Sequence, residues 1–150
     1  ARMRQILGAD QVRRVILVGA GNLGRALMSY RGFRKKNFDL VAVFDNDASK
    51  IGLPTPGLPA ERIRPLDDLP RIVAEHDVRL AVIAVPAQAA QAVADQLAAA
   101  GVRGLLNFAP MILQTRPGIT LSSVDLAVQL EQLAFQVNLG AEGAKMPLDS

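Results

Sequence analysis

With 150 residues, half of them apolar, and a formal net charge of +3, the chain is long enough to close one hydrophobic core and too apolar to stay disordered. It has no cysteine, which excludes disulfides and thiolate chemistry and fits a reducing cytoplasm. No apolar run nears the roughly 20 residues of a membrane span, and the N-terminus has no signal-peptide core, so no membrane association is expected.

In chain order, Arg2-Met3-Arg4-Gln5-Ile6-Leu7-Gly8 reads as the last turns of a helix ended by glycine. Residues 1–12 are therefore expected to be the end of a linker helix arriving from a preceding domain. Val15 to Val18 is a short apolar strand, followed by the turn Gly19-Ala20-Gly21-Asn22-Leu23-Gly24 and a helix from Asn22 to Tyr30. A second strand spans Leu40 to Phe44. Gly52 to Pro65, rich in glycine and proline, is expected to be loop with at most one short strand.

A helix over Leu66 to His76 leads to a strand over Leu80 to Val85. The next helix, Ala87 to Ala100, has Pro86 at its first-turn position and Gly101 as C-cap. Gly104 to Leu106 and Ile119 to Leu121 are the last strands. A final helix is expected from about Val124 to Asn138, capped by Ser122 or Ser123 and ended by Gly140, with 141–150 as a tail.

Strands apolar on both faces and separated by helices belong to a parallel sheet covered on both sides. The spacing predicts an α/β, doubly wound, Rossmann-like domain over 13–122 and a terminal helix over 123–140.

The glycine turn meets three contextual demands of a dinucleotide site at once: it follows a strand, opens a helix, and is followed by an acidic residue, Asp45, at the end of the next strand. Gly19 permits the tight turn, Gly21 a close backbone approach to a pyrophosphate, and Gly24 close helix–strand packing. The helix start supplies N–H groups and a positive dipole end. A carboxylate at Asp45 would bind ribose hydroxyls and repel a 2′-phosphate, which favours NAD(H) over NADP(H). Asp47 is the competing acid, or else caps the turn leading to Lys50. Arg25, in the first turn of the helix, either touches the pyrophosphate or faces solvent. The basic groups Arg2, Arg4, Arg13, Arg14 and Arg31, Arg34, Lys35, Lys36 are either a phosphate footprint or solvated surface.

No acid or base for hydride transfer accompanies this turn, so no enzyme is expected. The single histidine, His76, precedes the strand at 80–85 and so belongs at the edge of the sheet opposite the ligand. The strand ends that would flank a nicotinamide are Val85-Pro86 and Asn107-Phe108-Ala109-Pro110, apolar or neutral. Such a wall suits the uncharged dihydronicotinamide better than the cationic oxidised ring, because an unpaired buried charge is costly. That arrangement suggests a binder that reads redox state.

On the last helix, Leu126, Leu130, Leu133 and Val137 form a stripe with Ala127 and Ala134, opposite Gln129, Glu131, Gln132 and Gln136. The stripe either packs on its own domain or docks on a partner subunit. Asp125 suits the first turn of this helix on dipole grounds.

Several runs together resemble the C-terminal domain of the Rex family of redox-sensing transcriptional repressors. They are the glycine turn with Arg25-Ala26-Leu27, Ser29-Tyr30-Arg31-Gly32-Phe33, Phe44-Asp45-Asn46-Asp47 with Lys50-Ile51-Gly52, Ala84-Val85-Pro86, Ala89-Ala90-Gln91 with Asp95, Leu105-Leu106-Asn107-Phe108-Ala109-Pro110, and Val124-Asp125-Leu126. The resemblance implies a homodimer that binds NADH in preference to NAD+ and thereby releases operator DNA. The DNA is held by an N-terminal winged-helix domain absent from this chain, and the last helix is exchanged between subunits.

The resemblance implies Gly19, Gly21, Gly24 and Asp45 as pyrophosphate and ribose contacts, and Ala20, Asn22, Leu23, Asp47 and Lys50 complete the cofactor-binding set expected at that half. Val85, Pro86, Asn107, Phe108 and Ala109 would line the nicotinamide region, with Tyr30 and Asp125 in the network that senses the ring. Where some relatives place an aromatic near the nicotinamide, this chain has Leu126. The rival expectation is the nucleotide-binding domain of a dehydrogenase or of a CoA-binding ligase whose catalytic residues lie elsewhere.

Overall fold

The computed structural model describes residues 11–149; the expected helix over Arg2 to Gly8 lies outside them. Five parallel strands form the central sheet: β1 (Arg13–Val18), β2 (Phe38–Phe44), β5 (Leu80–Ile83), β6 (Gly104–Asn107) and β7 (Thr120–Ser123), in the order β2-β1-β5-β6-β7. Helices α1 (Asn22–Met28), α2 (Gly32–Lys35), α3 (Leu69–His76) and α4 (Ala87–Ala100) connect them. The doubly wound, Rossmann-like fold read from the strand pattern is the fold found.

The chain crosses over β1 on its way from β2 to β5. The crevice of such a sheet lies where strand order reverses. Register brings the strand ends level: Val18 pairs with Phe44 and with Ile83, Ile83 with Asn107, and Asn107 with Ser123. Backbone bonds continue one residue further, from Gly19 N–H to Phe44 (2.8 Å), Ala84 N–H to Val18 (2.8 Å) and Phe108 N–H to Ile83 (2.9 Å). The glycine turn, Asp45, Val85 and Phe108 therefore share one edge. Apolar side chains cover both sheet faces. Ile16, Val18, Phe44, Ile83 and Leu97 anchor one cluster, Leu17, Val43 and Ile63 the other, each buried side chain contributing roughly 1.5–3 kcal/mol.

Several expectations about elements change. The glycine- and proline-rich segment contains an antiparallel hairpin, β3 (Pro54–Thr55) and β4 (Leu58–Arg62), not a single short strand. The Thr55 hydroxyl ties it by donating to the carbonyl oxygens of Leu58 (2.7 Å) and Glu61 (3.1 Å). Leu66 to Asp68 is a 3-10 turn ahead of α3, and Pro86 is the N-cap of α4, one residue before its first turn. Gly101 caps α4 in the left-handed region, φ 111°, as expected.

The last helix, α5, runs from Leu126 to Asp149. Ser122 and Ser123 belong to β7 and do not cap it. The cap is Asp125, whose Oδ1 accepts the Val128 N–H at 3.1 Å. Nor does Gly140 end it: a glycine permits a left-handed stop without imposing one, and the helix-favouring Ala141, Glu142, Ala144 and Lys145 follow. Asp125→Ala is expected to cost about 1 kcal/mol of helix stability, read as lost helical ellipticity, with the melting of the core unchanged.

Residues 126–138 are exposed throughout, with Leu126 58%, Leu130 66%, Leu133 54% and Val137 61% accessible. The stripe does not pack on its own domain.

Candidate functional site

β1 ends at Val18 and the chain turns at Gly19, whose φ of 117° suits glycine. A Cβ there would collide with the Ala84 carbonyl oxygen, and one at Gly24 would collide with the Gly19 carbonyl oxygen. Both glycines thus let backbone meet backbone inside the fold. Gly21 differs: a Cβ built on it meets nothing within 4 Å. Its bareness serves the space in front of the turn.

That space is a cleft of about 630 Å³, within the usual range of ligand sites. The glycine turn lines it through Gly19, Gly21, Asn22 and Leu23, the end of β2 through Asp45, Asn46, Asp47 and Lys50, and the far wall through Val85, Pro86, Phe108 and Pro110. α1 and α4 both open onto it without a side-chain cap, so two positive dipole ends face the same volume.

Asp45, half-buried, is tied to the turn itself. Its Oδ2 accepts the Ala20 N–H at 2.8 Å and its Oδ1 the Asp47 N–H at 2.8 Å. One carboxylate therefore clamps the glycine turn to the end of β2, and the same residue lines the cleft. Asp47 acts locally: its Oδ1 accepts the Ser49 hydroxyl (2.8 Å) and N–H (3.0 Å), and its carbonyl oxygen accepts the Lys50 N–H (2.8 Å). The Ser49 bonds, hydroxyl first, hold the Asp47 carboxyl below the usual carboxylate range, with Lys50 adding to the effect. Asp47 is thus the turn cap that was the alternative reading, at the rim of the cleft.

The remaining expected site residues stand apart. Ala20 and Gly24 are buried within the turn. Asn107 is fully buried, and its amide braces the following backbone through Ala109 and Met111, while Ala109 is itself buried. Tyr30 is 58% exposed, lies edge-on to Phe33 with centroids 5.0 Å apart, and lines a separate basic hollow with Arg31, Arg34 and Lys35. Asp125 lies beyond β7 as the α5 cap. The structure does not bring Tyr30 and Asp125 to the cleft of a single chain. Arg25 is exposed and not among the cleft-lining residues. His76 ends α3, ahead of the N-terminal end of β5 and on the far side of the sheet from the cleft.

Sequence reading missed Asn46, Leu66, Ala84, Ala89, Ala92, Val93 and Gln96 as lining. For α4 the signal was available: positions 89, 92, 93 and 96 share one helical face just after Pro86. Leu66 carried none, since it reaches the cleft through the hairpin and its 3-10 turn. Its N–H donates to Asn46 Oδ1 at 3.3 Å.

The cleft can seat an elongated ligand with an anionic centre at the glycine turn, hydroxyls near Asp45, and an uncharged ring against Val85, Pro86 and Phe108. Among the described residues it offers no histidine and no grouping of His, Cys, Asp and Glu suited to a metal.

The CoA-binding domain family matches residues 10–111. A redox-sensing transcriptional repressor Rex of Pelotomaculum thermopropionicum is 45% identical over 133 residues, 89% of this chain and 61% of the relative. Among solved structures, RSP, a Rex-family repressor, in complex with β-NADH is 28% identical with a TM-score of 0.82, covering 97% of this chain and 69% of that one. The complex of RSP with β-NAD+ and operator DNA is 27% identical, with a TM-score of 0.80 and coverage of 97% and 66%. The chain spans about three fifths of the length of the curated relatives it matches first.

Proposed function

Because the chain belongs to the CoA-binding domain family and, within it, is homologous to the Rex redox-sensing repressors, we propose that it is the NADH-sensing domain of such a repressor. The observation that carries this is the cleft itself: a glycine turn clamped by Asp45 at one end and an apolar wall of Val85, Pro86 and Phe108 at the other. Gly19 to Gly24 and Asp45 hold the adenosine diphosphate half, with Asp47 and Lys50 at the rim. Val85, Pro86 and Phe108 meet the nicotinamide, with Asn107 and Ala109 shaping that wall from within. NADH is preferred because the oxidised ring would bring a positive charge against a wall with no counter-charge.

Residues 13–122 are the binding domain in this reading, and α5 is the dimer-forming element, its exposed stripe fitting a second copy of the chain. Tyr30 and Asp125 act across that dimer. Residues 1–12 lead from a winged-helix domain that holds operator DNA in the cytoplasm. NADH works by population shift, binding best to the subunit arrangement that does not fit the operator.

Paired calorimetric titrations test the reading. NADH is expected to bind at least about tenfold more tightly than NAD+, a difference of about 1.4 kcal/mol. Equal affinities would remove the redox-sensing claim and leave a dinucleotide site. CoA binding tighter than NADH would move the chain to the rival reading, a CoA-binding ligase fragment.

A further inference from the structure

The wall opposite the glycine turn is the segment after β6, and its position sets the cleft's width at the end away from Asp45. Two side-chain amides hold that segment. From within, Asn107 donates from Nδ2 to the carbonyl oxygens of Ala109 and Met111 (3.2 Å each) and accepts the Ala109 N–H (2.9 Å). From α4, Gln91 donates from Nε2 to the Gln114 carbonyl oxygen and accepts the Gln114 N–H, both at 2.9 Å. One side chain thus satisfies both backbone groups of a single loop residue, as a neighbouring strand would. The Gln91 amide also donates to Asp95 Oδ1, one turn further on, at 3.0 Å, which fixes which way round it presents its oxygen and nitrogen.

Between the two anchors Leu113 is buried in the core while Ile112 is 88% exposed. The segment is therefore pinned at both ends. α4 itself lines the cleft through Ala89, Val93 and Gln96, so the same helix carries one wall and the latch that places the other.

We infer that Gln91 is a positioning residue: its pairing with Gln114 sets the separation between α4 and the loop carrying Phe108 and Pro110, and so the fit of the ring end of the ligand. The inference rests on the dinucleotide reading given above. It separates the two halves of the cleft, because the glycine turn and Asp45 share no bond with Gln91.

The test is titration of the chain with NADH and, separately, with ADP, which in that reading takes only the end of the cleft at the turn, Asp45, Asp47 and Lys50. Gln91→Met keeps the side chain's length and removes both bonds to Gln114. It is expected to weaken NADH about tenfold while ADP stays within about twofold, as for independent sites. Asp95→Ala, which frees the amide to rotate, is expected to act in the same direction by about threefold. Equal weakening of both ligands means general loosening and overturns the inference, as does an unchanged NADH-to-ADP ratio in both variants. If the unaltered chain binds ADP and not NADH, the dinucleotide reading itself falls, a result visible before any variant is made.

Discussion

Gly21→Ala is expected to leave the domain as stable as before and to weaken NADH by about 100-fold, or roughly 2.7 kcal/mol. A Cβ at Gly21 touches nothing in the protein, and its φ of −77° is open to any residue. Alanine there even restricts the unfolded chain, so the melting temperature should hold or rise slightly. The methyl group would instead occupy the space through which a pyrophosphate approaches the turn, and each charge-assisted N–H contact it displaces is worth about 1.5–3 kcal/mol.

Gly19→Ala and Gly24→Ala should behave in the opposite way. Both put a methyl group into backbone carbonyls, and Gly19 also sits at a φ of 117°. Each is expected to cost about 3 kcal/mol or more, lowering the melting temperature by about 10 °C in a domain of this size. Melting curves and titrations on the three variants separate the ligand's glycine from the fold's. A destabilised Gly21→Ala protein, or one that binds NADH normally, would contradict the assignment.

The second large effect concerns assembly. A chain ending at Ser123 is expected to be monomeric, one shortened chain per particle where the full chain has two at the same concentration, as read by light scattering. Leu126, Leu130, Leu133 and Val137 are all more than half exposed. Buried from two copies, the exposed parts of such side chains contribute on the order of 7–14 kcal/mol, comparable to an association cost of about 4–15 kcal/mol.

The core clusters contain no residue of α5, so the shortened chain should still melt cooperatively. Leu130→Asp with Leu133→Asp in the full chain should dissociate it equally. A shortened chain that remains dimeric would place the interface elsewhere and end the partner-helix reading.

Local chemistry made much of the fold legible. Continuous apolar runs marked the strands, Gly101 marked the end of α4, and the turn from Gly19 to Gly24 stood out between a strand and a helix. The hairpin at 54–62 did not stand out, because two residues of β3 offer no alternation to detect and its stability comes from Thr55 reaching across to Leu58 and Glu61. Ser122 and Ser123 looked like caps for the same reason that Asp125 is one: all three carry an oxygen that can accept from a free helix N–H. Pairing of β7 with β6 took the serines into the sheet and left Asp125 at the helix start.

By itself, then, the sequence determined which segments could be strands and helices, that the β1–α1 turn could approach a phosphate, and that Asp45 would stand beside it. Those features depend on neighbours a few residues away. Only the tertiary structure decided how the three glycines divide their work, that Asp45 clamps Ala20 across 25 residues, that Gln91 holds Gln114, and that the stripe on α5 finds no place on its own domain. Each depends on strand order and register, which bring distant backbone groups within hydrogen-bond reach and which no local pattern encodes.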